Sequence, residues 1–197
     1  MQLFLVVLGG RAAGCNIELH DVRFVAGDSL EATIPTLRRQ WFGRRRGLHI
    51  DSWQRITQAD GWQVSLSQEP EPIRQRLWFV NLGAYDPASP AELHGFGLFV
   101  APSAASAKAR AKRQLLVGVA QQHKDDLCAV DDCLALEQVD GWQVRLTPAA
   151  DTPWQPLRPD WFGYRRIDGA KDSSNDNANG NNGNSGNSGG GSEPQRR

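Results

Sequence analysis

The chain has 197 residues, 40% hydrophobic and 22% charged, a composition that excludes disorder throughout and provides for one substantial core or two small ones. Lysine plus arginine equals aspartate plus glutamate at 22 each, so no overall field draws the protein to nucleic acid, an anionic membrane or an acidic substrate. The longest apolar run, Leu3 to Leu8, is far too short to cross a bilayer.

That run lacks the basic flank of a signal peptide and reads as a buried strand, apolar on consecutive residues as a central strand covered on both faces is. Gly9-Gly10-Arg11-Ala12-Ala13-Gly14-Cys15-Asn16 has the spaced glycines of a phosphate loop, but Cys15 and Asn16 stand where lysine and serine or threonine are required. It also leads into a strand, so it reads as a glycine-dependent hairpin loop. Glu18 to Phe24 follows as that strand. Asp28 with Glu31 fits a helix start, and Leu30, Ile34, Leu37 and Trp41 continue at helical spacing, with Pro35 weakening or kinking the helix. His49 to Trp53 is a further strand. Asp60-Gly61 supplies the positive φ angles of a type I′ turn and is followed by alternating Trp62, Val64 and Leu66.

The second half repeats this plan. Leu3 to Gly9 aligns with Leu77 to Gly83, Glu18-Leu19-His20 with Glu92-Leu93-His94, and Gln58 to Val64 with Gln138 to Val144. Ser103 caps an alanine-rich helix that reads as longer than the first, with Lys108, Arg110, Lys112 and Arg113 in solvent. Pro70 and Pro72 mark a short junction between the copies. The expected fold is α+β: two ββαββ units, residues 1–69 and 76–147, related by a pseudo-two-fold. A C-terminal extension, 148–167, packs on the body, and an Asn/Gly/Ser-rich tail, 168–197, is disordered.

Leu8-Gly9-Gly10, Ile17-Glu18-Leu19-His20-Asp21-Val22 and His49-Ile50-Asp51-Ser52-Trp53, with the second Asn81-Leu82-Gly83 and Glu92-Leu93-His94, resemble the bacterial family termed domain of unknown function 1543. The resemblance covers about Met1 to Leu146 and identifies the chain as similar to two-copy members. It implies a bacterial, intracellular setting and no particular activity. The second copy departs from the first at Gly95, opposite Asp21, and at Cys133, opposite Trp53.

Residues two apart on a strand share a face, so Glu18 and His20 lie at the edge of the core face that carries Val22 and Phe24, and Glu92 and His94 repeat the arrangement. The leading functional expectation is a small-molecule or ion binding module, with Glu18, His20, Glu92 and His94 lining a site between the copies. The alternative is a metal-dependent hydrolase using these pairs to hold Zn²⁺, Mn²⁺ or Fe²⁺, and a third is a structural or protein-interaction role without a pocket. His49 and Asp51, again two apart on a strand, complete the candidate set. Asp131 is the second copy's counterpart, with His123, Asp125 and Asp126 nearby. His20 or His49 is the natural general base, because imidazole titrates near working pH. Trp41-Phe42-Gly43-Arg44-Arg45-Arg46 and Trp161-Phe162-Gly163-Tyr164-Arg165-Arg166 mix aromatics and arginine as single-strand nucleic-acid grooves do, but balanced charge favours aromatics anchored in the core and arginines facing water. Cys15, Cys128 and Cys133 form no Cys-x-x-Cys pair and read as small buried apolar residues in a reducing cytoplasm. No nucleophile elbow, dinucleotide fingerprint or His-Glu-x-x-His is present.

Overall fold

The apolar opening run forms β1 (Gln2–Gly10), an interior strand of a four-stranded antiparallel sheet in a computed structural model that describes residues 1–69, 74–85, 88–115, 121–122, 133–149 and 153–169. β1 pairs on one side with β2 (Leu19–Gly27), in register from Gln2 opposite Gly27 to Gly10 opposite Leu19. On the other side it pairs with β3 (His49–Arg55). Both faces of β1 are covered, as its unbroken apolar sequence requires. Phe4, Val6 and Leu8 meet helix α1 (Leu30–Gln40) through Leu30 and Leu37, while Leu3 and Leu5 face the centre of the molecule. Each fully buried leucine contributes about 1.5–3 kcal/mol from removal of apolar area from water.

α1 starts one residue later than expected. Ser29, in extended conformation, accepts a hydrogen bond from the Ala32 amide at 3.2 Å, and Asp28 instead pairs with the N-terminal amine at 3.3 Å. Pro35 sits within the helix on its exposed side. β4 (Gln58–Ala59) and β5 (Trp62–Ser67) form the hairpin whose turn residues Asp60 and Gly61 adopt φ of 52° and 81°, the type I′ conformation read from Asp-Gly.

The second repeat likewise opens with two strands and a helix and closes with a hairpin, and it carries one further short strand after the helix. β6 (Arg76–Tyr85) pairs with β7 (Leu93–Ala101), with the short β8 (Gln121–Gln122), and with β9 (Cys133–Ala135). α2 (Ala104–Gln114) packs Ala107 and Ala111 on this sheet. Ser103 caps it as expected, but at 11 residues it equals α1 in length rather than exceeding it. Beyond the five elements expected per repeat lie the two-residue strands β4, β8 and β10 (Gln138–Val139).

A third sheet, ordered β10, β11, β5, β4, joins the repeats: β11 (Trp142–Pro148) pairs with β5 from Gln143 opposite Ser67 to Pro148 opposite Trp62. The central core lies between the three sheets, with Leu5 and Phe24 from the first, Leu77 and Val100 from the second, and Val64 and Val139 from the joining sheet. The hairpin carboxylates cross over. Asp60 accepts the Val100 amide at 2.8 Å and Asp140 accepts the Ala26 amide at 2.9 Å. Arg110, expected in solvent, turns to the buried Asp60 carboxylate and to the Val100 carbonyl.

The extension adds β12 (Trp161–Arg166) to the free edge of β3. Trp41 is buried at the end of α1, yet Phe42 and Phe162 are 59% and 78% exposed, so in neither of the two similar segments does the phenylalanine serve as an anchor in the core. Arg165 pairs with Glu31 and Arg166 with Asp168. Cys15 and Cys133 are half-buried rather than buried, and Cys128 lies outside the described residues, as does the tail from 170 onward. Among the described residues no helix is long and apolar enough to cross a membrane.

Candidate functional site

Register places the candidate residues of the first repeat. Gly9 of β1 stands opposite His20 of β2 on one side and opposite His49 of β3 on the other, so both imidazoles flank a position without a side chain. A Cβ at Gly9 would stand 2.3 Å from His49 Nε2 and 2.8 Å from Asp51 Oδ2, so the two side chains occupy the space the glycine leaves. Asp51 reaches it through a register shift. Val7 pairs with Ser52 and Leu8 with Ile50, which leaves Asp51 as the extra residue of a β-bulge beside His49.

His49 is 1% exposed. Its Nδ1 lies 2.8 Å from the Gly47 carbonyl oxygen, which can only accept, so Nδ1 carries the hydrogen. Nε2 then faces Asp51 Oδ1 at 3.1 Å and Glu18 Oε1 at 3.6 Å. His20, 54% exposed, brings its Nε2 to 3.3 Å from Asp51 Oδ2, an oxygen that is buried and has no hydrogen-bond partner. Imidazole and carboxylate therefore alternate: His20, Asp51, His49, Glu18. The C-terminal extension holds the buried end of this set. The Tyr164 ring lies over His49 with centroids 4.0 Å apart, and Asp168 accepts the Gly47 amide at 2.9 Å. Among the described residues no group of three or more His, Cys, Asp or Glu side chains stands arranged to hold a metal ion; the donors here are in contact with one another.

In the second repeat His94, opposite Gly83, has Nε2 3.7 Å from Glu92 Oε2 and Nδ1 3.3 Å from Asn81 Nδ2. Pairing of Val80 with Cys133 matches that of Val6 with Trp53, so counting back four residues puts Ala129 where the first repeat has His49, and Asp131 where it has Asp51. Ala129, Asp131, His123, Asp125 and Asp126 lie outside the described residues. His20 and His94 open onto one groove of about 410 Å³, floored by Val7, Val22, Phe79 and Phe96, with Asp21 and Asn81 at its edge. The expected site residues thus divide: Glu18, His20, His49 and Asp51 gather on the first sheet, Glu92 and His94 on the second, and the two exposed histidines share the groove.

Gly9, Gly47, Tyr164 and Asp168 were not among the expected site residues. Gly9 carries a readable signal, since a glycine within an apolar strand marks a close approach, but it reads as the start of a loop because Gly10 follows it. Tyr164 and Asp168 carry none, because their partners lie more than 100 positions away in the sequence.

Sheet order, two helices and the repeated Glu-x-His strands define a duplicated α+β protein. Comparison places it more closely: the chain belongs to the family described as Domain of Unknown Function (DUF1543), which matches residues 15–66 and again residues 89–146. It is similar to a protein of Idiomarina loihiensis, Il1583, known from a crystal structure, at 40% identity and a TM-score of 0.64 over 84% of this chain and 97% of that one. No curated protein matches the chain.

Proposed function

We propose that this protein is a binding module for a small molecule, seated in the groove between a repeat spanning 1–69 and a repeat spanning 76–147. The observation that carries this reading is that His20 and His94, the histidines of the two Glu-x-His pairs, open onto the same groove. Its floor of Val7, Val22, Phe79 and Phe96 takes up the apolar body of a ligand, and the imidazoles with Asn81 fix its orientation. Each imidazole is backed by a carboxylate, Asp51 at 3.3 Å and Glu92 at 3.7 Å, with Glu18 close by. That concentration of negative charge disfavours an anionic head group, so the ligand is a neutral or cationic, flat, largely apolar molecule.

The test is protein-observed NMR with a library of neutral and cationic aromatic fragments, such as benzimidazole and benzylamine. Binders should shift the ring signals of His20 and His94 together, and Phe96→Ala should weaken them by about 10-fold, the worth of one aromatic contact in a groove. Fragments that move neither histidine, or that bind Phe96→Ala unchanged, would remove the groove as the ligand site.

A further inference from the structure

We infer that the first repeat holds, beside the groove and sharing His20 with it, a divalent first-row transition cation of the Zn²⁺ or Co²⁺ class between His20, His49, Asp51 and Glu18, over Gly9. Two imidazole nitrogens and two carboxylates are a borderline N/O donor set suited to such ions. The tautomer of His49 supplies the first argument. With the hydrogen on Nδ1 committed to the Gly47 carbonyl, the Nε2 lone pair points at two carboxylates, Asp51 at 3.1 Å and Glu18 at 3.6 Å. That arrangement is repulsive unless a positive centre lies between them, and the backbone carbonyl behind Nδ1 is the usual outer support of a metal-bound histidine.

A proton on Nε2 would satisfy His49 alone. It would leave the buried Asp51 Oδ2 without a hydrogen bond, its contact there being the half-exposed His20 Nε2 at 3.3 Å. A cation serves all four groups. The spacing also fits. Ligands about 2.0–2.1 Å from a tetrahedral centre stand about 3.3 Å from one another, and three of the six donor pairs, two of them through different oxygens of Asp51, are at 3.1, 3.3 and 3.6 Å. An ion therefore enters by rotation of these side chains, and Gly9, with no Cβ, leaves His49 and Asp51 room to turn over the strand. In the aligned sequence the second repeat has Ala129 in place of His49 and so lacks one of the four donors.

The experiment dialyses the untagged, chelator-stripped full chain against Co²⁺ and reads metal per chain by elemental mass spectrometry, with the visible ligand-field bands as a second readout. The expected result is one Co²⁺ per chain with the intense bands of four-coordinate cobalt. His49→Ala risks the fold because the ring is buried, so the deciding variants are the exposed His20→Ala and the isosteric Asp51→Asn. Each should weaken uptake by more than about 100-fold, beyond the loss seen when only an outer-shell partner is removed. His94→Ala, which alters the groove but not the cluster, should keep the ion. Absence of uptake by the wild type, uptake that survives His20→Ala, or uptake lost in His94→Ala would each overturn the inference. His20 reports on both sites, so the groove is judged by His94 and Phe96→Ala, which lie outside the cluster, and the cation site by metal uptake; failure of one and failure of the other give different results.

Discussion

Replacing Gly9 by alanine sets a methyl carbon 2.3 Å from His49 Nε2 and 2.8 Å from Asp51 Oδ2, contacts that real side chains do not tolerate. His49 has little room to yield, being 1% exposed and held by the Gly47 carbonyl and the Tyr164 ring. Gly9→Ala should therefore cost about 1–3 kcal/mol in urea unfolding, the usual range for overpacking. It should also shift the ring signals of both His20 and His49. Gly14→Ala is the comparison. Its φ of 78° strains an alanine, but nothing lies near the new methyl, so it should lower stability without moving either histidine. Equal histidine spectra for the two variants would show that Gly9 does not organise the cluster. At this scale the sequence exposes the residue types and the spacing of two along each strand, which is how Glu18 with His20 and His49 with Asp51 can be found. It hides their meeting, because that depends on the register of β2 and β3 against β1 and on the bulge that turns Asp51 toward His49.

Secondary elements are legible where local chemistry dictates them. Asp60-Gly61 and Asp140-Gly141 both adopt positive φ because that dipeptide accepts it at small cost, and the unbroken apolar run of β1 becomes an interior strand. β12 is not legible: Trp161–Arg166 has neither clean alternation nor a neighbouring partner, and it becomes a strand because the edge of β3 offers unpaired backbone groups about 110 positions earlier. Pro35 is the place where local preference and fold conflict. A proline in the helix interior has no N–H to give the carbonyl four residues before it and crowds that turn, yet α1 runs through it. Since Pro35 is exposed, alanine there restores a helical hydrogen bond without touching the core. Pro35→Ala should raise unfolding stability by about 1–3 kcal/mol, less than the full difference in helix propensity because proline also restricts the unfolded chain. A fall in stability would mean that the restriction outweighs the bond.

Two carboxylates tie the repeats together, Asp60 reaching from the first hairpin to Val100 and Asp140 from the second to Ala26. The Asp-Gly dipeptides reveal the turns, but only the paired β5 and β11 place each turn against the other repeat, so this link cannot be read from either half alone. Asp60 is the buried member, and burial holds its carboxyl above the ordinary aspartate range despite the opposing pull of the Val100 amide and Arg110. Its folded pKa therefore exceeds its unfolded value, so the folded state binds the proton more tightly. Stability from this group is fully present below the unfolded pKa of about 4 and is lost as pH rises through the folded pKa. Asp60→Asn keeps an acceptor for Val100 but does not ionise. In urea unfolding, the stability of the wild type minus that of Asp60→Asn should fall as pH climbs from the ordinary aspartate range upward, then level off. Arg110→Leu removes the nearby charge that lowers the Asp60 pKa, so its curve relative to Asp60→Asn carrying the same Leu should fall further and over a wider pH span. A difference that stays flat would show that the ion pair with Arg110 balances the burial of the charge, and one that rises with pH that the pair outweighs it and the ionised aspartate strengthens the junction between the repeats.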